Sequence, residues 1–339
     1  MLKSLKQFIK RTIIIPRQNE RKLNAILDSY GLEGKERATI KADIKQTQKT
    51  LGFSPEEFMK HHFADVPLEI RKTFVADIER IAFTDRLNRP ENKEIFDNKA
   101  LTYKHFKKFY KRDQFYGNPD FALQSLDDFK TFAAAHPRFI AKPLNSAFGK
   151  GVRILSMDGT PEEYLAKLQQ DYPYGFVLEE LIRQCQEMAA LHPESVNTVR
   201  IPTLRFDDHV QIVHPFLRVG RGKSVVDNGM SGGILCTIDP KTGIVKNTAD
   251  ERGVHYVEIP ESGVKLIGFQ IPRWSEALEL ARQLTQVIPS NRWTGWDLAL
   301  TDDGWIMVEG NARAQFGFQI ADRTGFRAEI EGYMKQLNL

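Results

Sequence analysis

The chain has 339 residues, 41% of them hydrophobic and 27% charged, with a formal charge of +4 at pH 7. This is the composition of a folded globular protein, and so small a charge hints at an anionic ligand but does not argue for nucleic acid, whose binders usually carry a dense basic stripe. Two cysteines, Cys185 and Cys236, exclude a disulfide framework or CxxC metal site and fit a reducing cytoplasm, and no apolar run approaches the ~20 residues that span a bilayer.

The start, MLKSLKQFIKRTIIIP, is basic with Leu2, Leu5, Phe8 and Ile9 at helical spacing. It lacks the long apolar run and cleavage site of a secretory signal. It reads as a helix packed on its own protein, and the alternative is peripheral contact of residues 1–15 with anionic lipid on the inner face of the membrane. From Asn19 to about Leu87 the sequence is helical and charged, and Ser54-Pro55-Glu56-Glu57 is a helix start. RLNRPENKEIFDNKA breaks this region, and LTYKHFKKFYKR predicts a further basic helix.

Short strands then alternate with helices. Phe139-Ile140-Ala141 predicts a strand ending at Lys142-Pro143, and Val152–Leu155 predicts the next. Thr160-Pro161-Glu162-Glu163 is a capping box opening a helix to about Gln170, and Gly175–Leu178 is again a strand. From Asn197 strands dominate: TVRIPTLRF, HVQIVHPFLRVG, GGILCTID and GVHYVEI, with a turn at Pro240-Lys241-Thr242-Gly243. SEALELARQLTQVI is an amphipathic helix leading into GWDLALTDDGWIMVEGN. The pattern is an α+β chain with a helical front and a sheet-rich rear.

That last stretch is a hairpin with acids inside its strands. A three-residue loop, Asp302-Asp303-Gly304, puts Thr301 opposite Trp305 and Asp297 opposite Glu309, with Asn311 one step further on the same face. Opposed side chains stand ~5 Å apart, so two carboxylates there repel unless something positive lies between them. All-oxygen ligands in small number favour magnesium completed by phosphate oxygens. The alternative is that Asp297 and Glu309 pair with buried arginines.

Two further segments carry donors. In AKPLNSAFGKGVRIL, Gly149 and Gly151 bracket Lys150 after Ser146. Glycine lets backbone N–H groups approach phosphate, although the order is not a Walker loop and a solvated turn is the alternative. In FVLEELIRQCQEMAALHPESVNTVRI, a strand runs into Glu179-Glu180-Leu181-Ile182 and a helical segment with Glu187. Backbone groups there can bond a base edge and a carboxylate can accept ribose hydroxyls, whereas paired glutamates alone read as a solvated edge.

In this order the three pieces resemble the ATP-grasp superfamily. LEELIRQCQEMAALHPESVNTVRIPTL, VVDNGMSGGILCTIDPKTG and GWDLALTDDGWIMVEGN are most similar to its sugar-transfer-associated branch, over roughly Asn98 to Ala321. The resemblance does not extend to residues 1 to about 90. The resemblance implies an ATP-grasp fold, two α+β subdomains gripping ATP, with a helical N-terminal extension. It divides the chain into a helical region (1–95), a lid subdomain (96–180) and a C-terminal subdomain with the metal site (181–339).

The resemblance also implies roles. Lys99 and Lys142 would contact phosphates, Lys142 near the adenine and α-phosphate, with Ser146, Gly149, Lys150 and Gly151 as the flap over them. Glu179 lies in the same nucleotide-binding set, Glu180 and Ile182 would meet adenine through their backbones, and Glu187 would hold the ribose. Arg200 would face the γ-phosphate and Arg218 the phosphate or acceptor carboxylate. Asp297, Glu309 and Asn311 would bind magnesium, Glu309 bridging two ions, with manganese as the substitute. The implied reaction is ATP-dependent joining of a carboxylate to an amine or thiol, in cell-surface polysaccharide or sugar-conjugate synthesis. The implied partner is a small-molecule or sugar-conjugate acceptor with a carboxylate, and no oligomeric state is indicated. A sugar or glycan kinase and a non-catalytic ATP sensor are the alternatives. ARAQFGFQIADRTG replaces the short proline- or glycine-led segment expected after Asn311, so Arg313 and Gln315 would shape the acceptor side.

Overall fold

A computed structural model describes residues 15–117, 124–145, 150–224, 227 and 232–339. The basic segment carrying Leu2, Leu5, Phe8 and Ile9 lies outside them. The chain forms two compact units, one from the chain up to Arg80 together with Arg323–Leu339, the other Ile81–Asp322.

The first unit is helical. Its helices include Ile15–Ser29, Gly34–Leu51, Pro55–Lys60 and, from the chain end, Arg327–Gln336. Ser54 caps Pro55–Lys60 in a full capping box with Glu57, and Gly52 ends the preceding helix at φ 79°. The core gathers Leu23, Leu27, Ile44, Phe53, Phe58, Phe63 and Phe74. Arg71 reaches into it, held by Asp43 at 2.6 and 2.8 Å and lying over the Phe58 ring.

The second unit carries two sheets. Strands β1 (Gln114–Gly117), β2 (Arg138–Pro143), β3 (Arg153–Ser156) and β4 (Phe176–Glu180) form an antiparallel sheet ordered β1-β4-β2-β3. Helices Leu126–Ala135 and Pro161–Asp171 bury Phe129, Phe132 and Leu168 with Phe115, Phe139 and Phe176 of its strands. The larger sheet contains β5 (Thr198–Arg205), β6 (Val210–Ile212), β7 (Phe216–Val219), β8 (Ile234–Ile238), β9 (Val245–Ala249), β10 (Trp293–Thr301) and β11 (Gly304–Asn311). Its order is β11-β10-β5-β7-β8-β9, with β6 paired to β5. Helices Lys99–Tyr110 and Trp274–Thr285 lay Phe106, Phe109, Ala277, Ala281 and Leu284 into its core. Among the described residues no helix is long and apolar enough to cross a membrane.

Two strand expectations are corrected. HVQIVHPFLRVG is two strands, because Pro215 brings no N–H and His214 takes φ 42° between them. GVHYVEI is not a strand beyond a single bridge at Glu258. Val254 and Val257 are exposed while Tyr256 and Ile259 pack on the core, so neither alternating face is consistently buried, and Val245–Ala249 pairs with β8 instead. Asp239 Oδ1 accepts the N–H groups of Lys241 and Thr242, closing the turn early enough for that pairing.

Candidate active site

The hairpin β10–β11 reaches its acid-facing-acid register by a different route from the one its sequence predicts. Thr301 pairs with Gly304, not Trp305, and the ladder continues Leu300–Trp305, Ala299–Ile306 and Leu298–Met307. Gly304 takes φ 113°, which suits the bend after Asp302-Asp303. A bulge then leaves Val308 unpaired, and this restores Asp297 opposite Glu309 and places Asn311 opposite Gly295.

Asp297 is buried, and its neighbours on β5 and β7 neutralise it. Arg200 stands opposite it on β5 and donates from Nε to Oδ1 at 2.5 Å and from Nη2 to Oδ2 at 2.6 Å. Arg218 donates from Nη2 to Oδ2 at 2.8 Å and from Nε and Nη2 to the Thr198 hydroxyl at 3.0 and 2.7 Å. Asp227 completes the group, accepting from the Thr198 N–H at 3.0 Å and from its hydroxyl, 3.5 Å from Arg218 Nε. Burial pushes the Asp297 carboxyl up, but Arg200 and Arg218 outweigh it and hold it below the usual carboxylate range. Burial raises Asp227, and Arg218 and Thr198 only partly oppose it. Burial alone would lower Arg218, yet Asp227, Asp297 and Glu309 leave it firmly charged.

The smaller sheet contributes a second charged group. Glu179 on β4 is buried, and its Oε2 accepts from Lys142 Nζ at 2.9 Å and from Arg112 Nη2 and Nε at 2.7 and 3.1 Å. Burial opposes its charge, but Arg112 and Lys142 prevail and bring its pKa down to about 2. Lys99 occupies the first turn of helix Lys99–Tyr110, which Asn98 caps through the N–H groups of Ala100 and Leu101. Burial holds its ammonium below the ordinary lysine range, Glu309 and Glu179 draw it up, and Lys142 adds to the depression. A cation-rich arc (Lys99, Lys142, Arg200, Arg218) thus accompanies paired carboxylates, which is chemistry for a polyanion and hard cations.

The sugar-transfer associated ATP-grasp family matches residues 79–334. The chain belongs to that family. Its fold is therefore the ATP-grasp fold, with α+β content and N-terminal helices. No curated protein matches the chain. Among solved structures it is similar to the ATP-grasp ligase PsnB complexed with a minimal precursor, Mg and ADP, at 14% identity over 75% of this chain and 62% of that one, TM-score 0.44. It is also similar to a D-alanine–D-alanine ligase from Bacillus anthracis (11%, 74% and 68%, TM-score 0.41). A third is D-alanyl-alanine synthetase A from Vibrio cholerae (10%, 74% and 67%, TM-score 0.46). The chain spans less than two thirds of the length of the first of these, and the family match alone carries the assignment.

Within this ATP-grasp chain, the residues singled out by sequence fall into three sets. Arg200, Arg218 and Asp297 are in direct contact, with Glu309 opposite; Lys142 and Glu179 are in direct contact, with Lys99 in electrostatic reach of both and of Glu309. The backbone N–H of Glu180 is taken by the Asp113 carbonyl at 3.1 Å, and its carboxylate accepts the Asp113 N–H at 3.3 Å. Ile182 lies half-buried in the connection after β4, and Glu187 is exposed on helix Gln186–Ala189. Lys150 is exposed and Gly151 takes φ 74°, while Ser146 and Gly149 lie outside the described residues. On the expected acceptor side, Arg313 is held by Asp85 at 2.6 and 2.7 Å, and Gln315 is exposed.

The oxygen donors suit a hard cation. Pairing with buried arginines holds for Asp297 but not for Glu309, which is half-buried with no hydrogen bond or ion pair among the described residues. The Asn311 Nδ2 is buried with no hydrogen-bond partner among the described residues, which leaves donor capacity for an anion such as a phosphate oxygen, whereas a cation would be met by its Oδ1. Asp297 Oδ1 accepts one hydrogen bond and keeps a lone pair. Arg112, Thr198 and Asp227 are absent from the sequence reading. Arg112 lies in a run of Lys and Arg ending a basic helix, which reads as solvated, and Asp227 sits in a polar glycine-bearing loop, so neither carries a local signal.

Proposed function

We propose that this chain is an ATP-dependent ligase that activates a carboxylate for attack by an amine or thiol. The terminal phosphoryl group of ATP passes to a carboxylate oxygen of the acceptor and ADP leaves. The nucleophile then attacks the acyl carbon, loses its proton, and phosphate departs. Residues 96–180 act as the lid and 181–339 as the subdomain bearing the carboxylates.

One observation carries this reading: in a chain of the ATP-grasp family, Asp297 and Glu309 face each other while Arg200 and Arg218 already neutralise Asp297. Arg200 gives two of its five N–H donors to Asp297, so three remain for the phosphate undergoing transfer. Its fork is fixed in the ground state, which is the preorganisation that phosphoryl transfer needs. Lys142 and Lys99 hold the other phosphates, Lys142 oriented by Glu179. Asp297, Glu309 and Asn311 would hold magnesium, which neutralises phosphate charge when bound. Glu180 and Ile182 meet adenine and Glu187 the ribose. The Glu180 N–H is already bonded, so its carbonyl is the group left for the base.

The family's description supports a sugar-linked acceptor. ADP release over a panel of sugar acids, amino acids and amines tests the proposal. Turnover requiring both a carboxylate and a nucleophile supports it. Turnover on a single acceptor leaving a phosphomonoester would make the protein a kinase.

A further inference from the structure

Arg112 bonds both the Glu179–Lys142 group and the backbone of the strand that carries Glu309. Its Nε and Nη2 bond Glu179 Oε2, the oxygen that also holds Lys142. Its Nη1 donates to the Met307 carbonyl at 2.6 Å, and its Nη2 lies 3.4 Å from the Val308 carbonyl. Those carbonyls belong to the bulge that turns Glu309 toward Asp297. The guanidinium is buried and lies over the Tyr110 ring at 4.6 Å, so its orientation is fixed.

We infer that Arg112 is a positioning residue that ties the nucleotide-binding lysine of the smaller sheet to the metal-binding hairpin of the larger one. The inference rests on the function proposed above. One arm acts through charge: with Arg112 present, Glu179 is neutralised by two cations, so Lys142 keeps N–H donors for a phosphate. Without it, Lys142 alone must neutralise a buried carboxylate. The other arm acts through geometry: the bulge is one extra residue, and a planar fork bonding two successive carbonyls holds it in one register. A lysine has a single ammonium and cannot span both arms.

The experiment compares Arg112→Met, Arg112→Met/Glu179→Gln and Arg112→Lys with the parent protein. It reads calorimetric ATP affinity in EDTA, the Mg2+ concentration for half-maximal ADP release, and the far-ultraviolet spectrum. Arg112→Met should weaken metal-free ATP binding about tenfold, the loss of one charge-assisted contact. It should also raise the half-maximal Mg2+ about tenfold, as loss of an outer support of metal ligands does. The double variant, which removes the stranded carboxylate, should recover ATP affinity to within about threefold while its Mg2+ requirement stays high. If Arg112→Met does not fold, Arg112→Lys should keep ATP affinity within about threefold and still raise the Mg2+ requirement. A folded Arg112→Met with neither change, or a double variant that recovers nothing, overturns the inference. A parent protein that binds no ATP overturns the function proposed above and this inference with it, whereas a parent that binds and turns over isolates the fate of Arg112.

Discussion

Arg200 and Asp297 face each other across β5 and β10 and share two hydrogen bonds of 2.5 and 2.6 Å. Glu309, directly opposite Asp297 on the other strand, has no such partner among the described residues. Two acids in one hairpin therefore differ: one is built into a buried ion-pair network and the other is not.

Glu309→Gln and Asp297→Asn should separate on stability. Removing the Asp297 charge strands Arg200 and Arg218 in the interior, and breaking such a buried network costs about 3–5 kcal/mol. Glu309→Gln breaks no ion pair and should leave the urea midpoint unchanged or higher, while ADP release falls by orders of magnitude. Equal destabilisation by the two substitutions would contradict this division.

Arg200→Lys should lower turnover far more than ATP affinity. An ammonium can keep one bond to Asp297 but not the two-pronged geometry, so the donors proposed to meet the transferring phosphate would lose their fixed direction. The expected loss in kcat is roughly 100-fold, as for removal of one preorganised donor, with ATP affinity within about threefold. Calorimetry and ADP release on the same preparation check it, and lost binding with intact turnover would remove Arg200 from the reaction.

Gly151→Ala should weaken ATP binding by about tenfold, the cost of ~1–2 kcal/mol for a left-handed non-glycine residue. The position takes φ 74°, and an added Cβ would lie 2.8 Å from Pro143 Cγ. Proteolysis near the exposed Lys150 should slow when magnesium and ATP are added to the parent protein. Equal cleavage with and without nucleotide would make this loop an ordinary turn.

Acid should destabilise the protein in two windows. His61 stacks on Phe63 and meets Phe53 and Phe74 edge-on, with Nδ1 buried and without a hydrogen-bond partner among the described residues. Burial lowers its pKa from 6.5 to about 4. The unfolded chain therefore takes up the proton first, and stability falls as pH drops from 6.5 toward 4, by about 3 kcal/mol in all. Glu179, depressed to about 2, contributes stability that is full above its unfolded value of 4.5 and lost as pH falls through 2. Urea unfolding of His61→Phe from pH 7 to 2 should lose the slope between 6.5 and 4 and keep the one below 4.5, and an unchanged first slope would contradict the assignment.

The face-to-face acids are legible in the sequence because alternation has period two and Gly304 marks the turn. The turn and the bulge are not: each shifts the ladder by one residue, and the two shifts cancel at Asp297 and Glu309. The strand GVHYVEI misleads because alternation predicts a strand only where one face has something to cover. Arg200 and Arg218 are found through resemblance, yet their hold on Asp297 depends on three strands brought together from distant positions. Arg112 and Asp227 act through contacts 67 to 196 residues away in one case and 29 in the other, which no local pattern encodes.

The most direct test of the ligase reading uses hydroxylamine as the nucleophile, with magnesium, ATP and a panel of sugar acids and amino acids. An activated carboxylate yields a hydroxamate, so hydroxamate should form in step with ADP, be absent without magnesium and be lost in Glu309→Gln. ADP release accompanied by a phosphomonoester and no hydroxamate would contradict it.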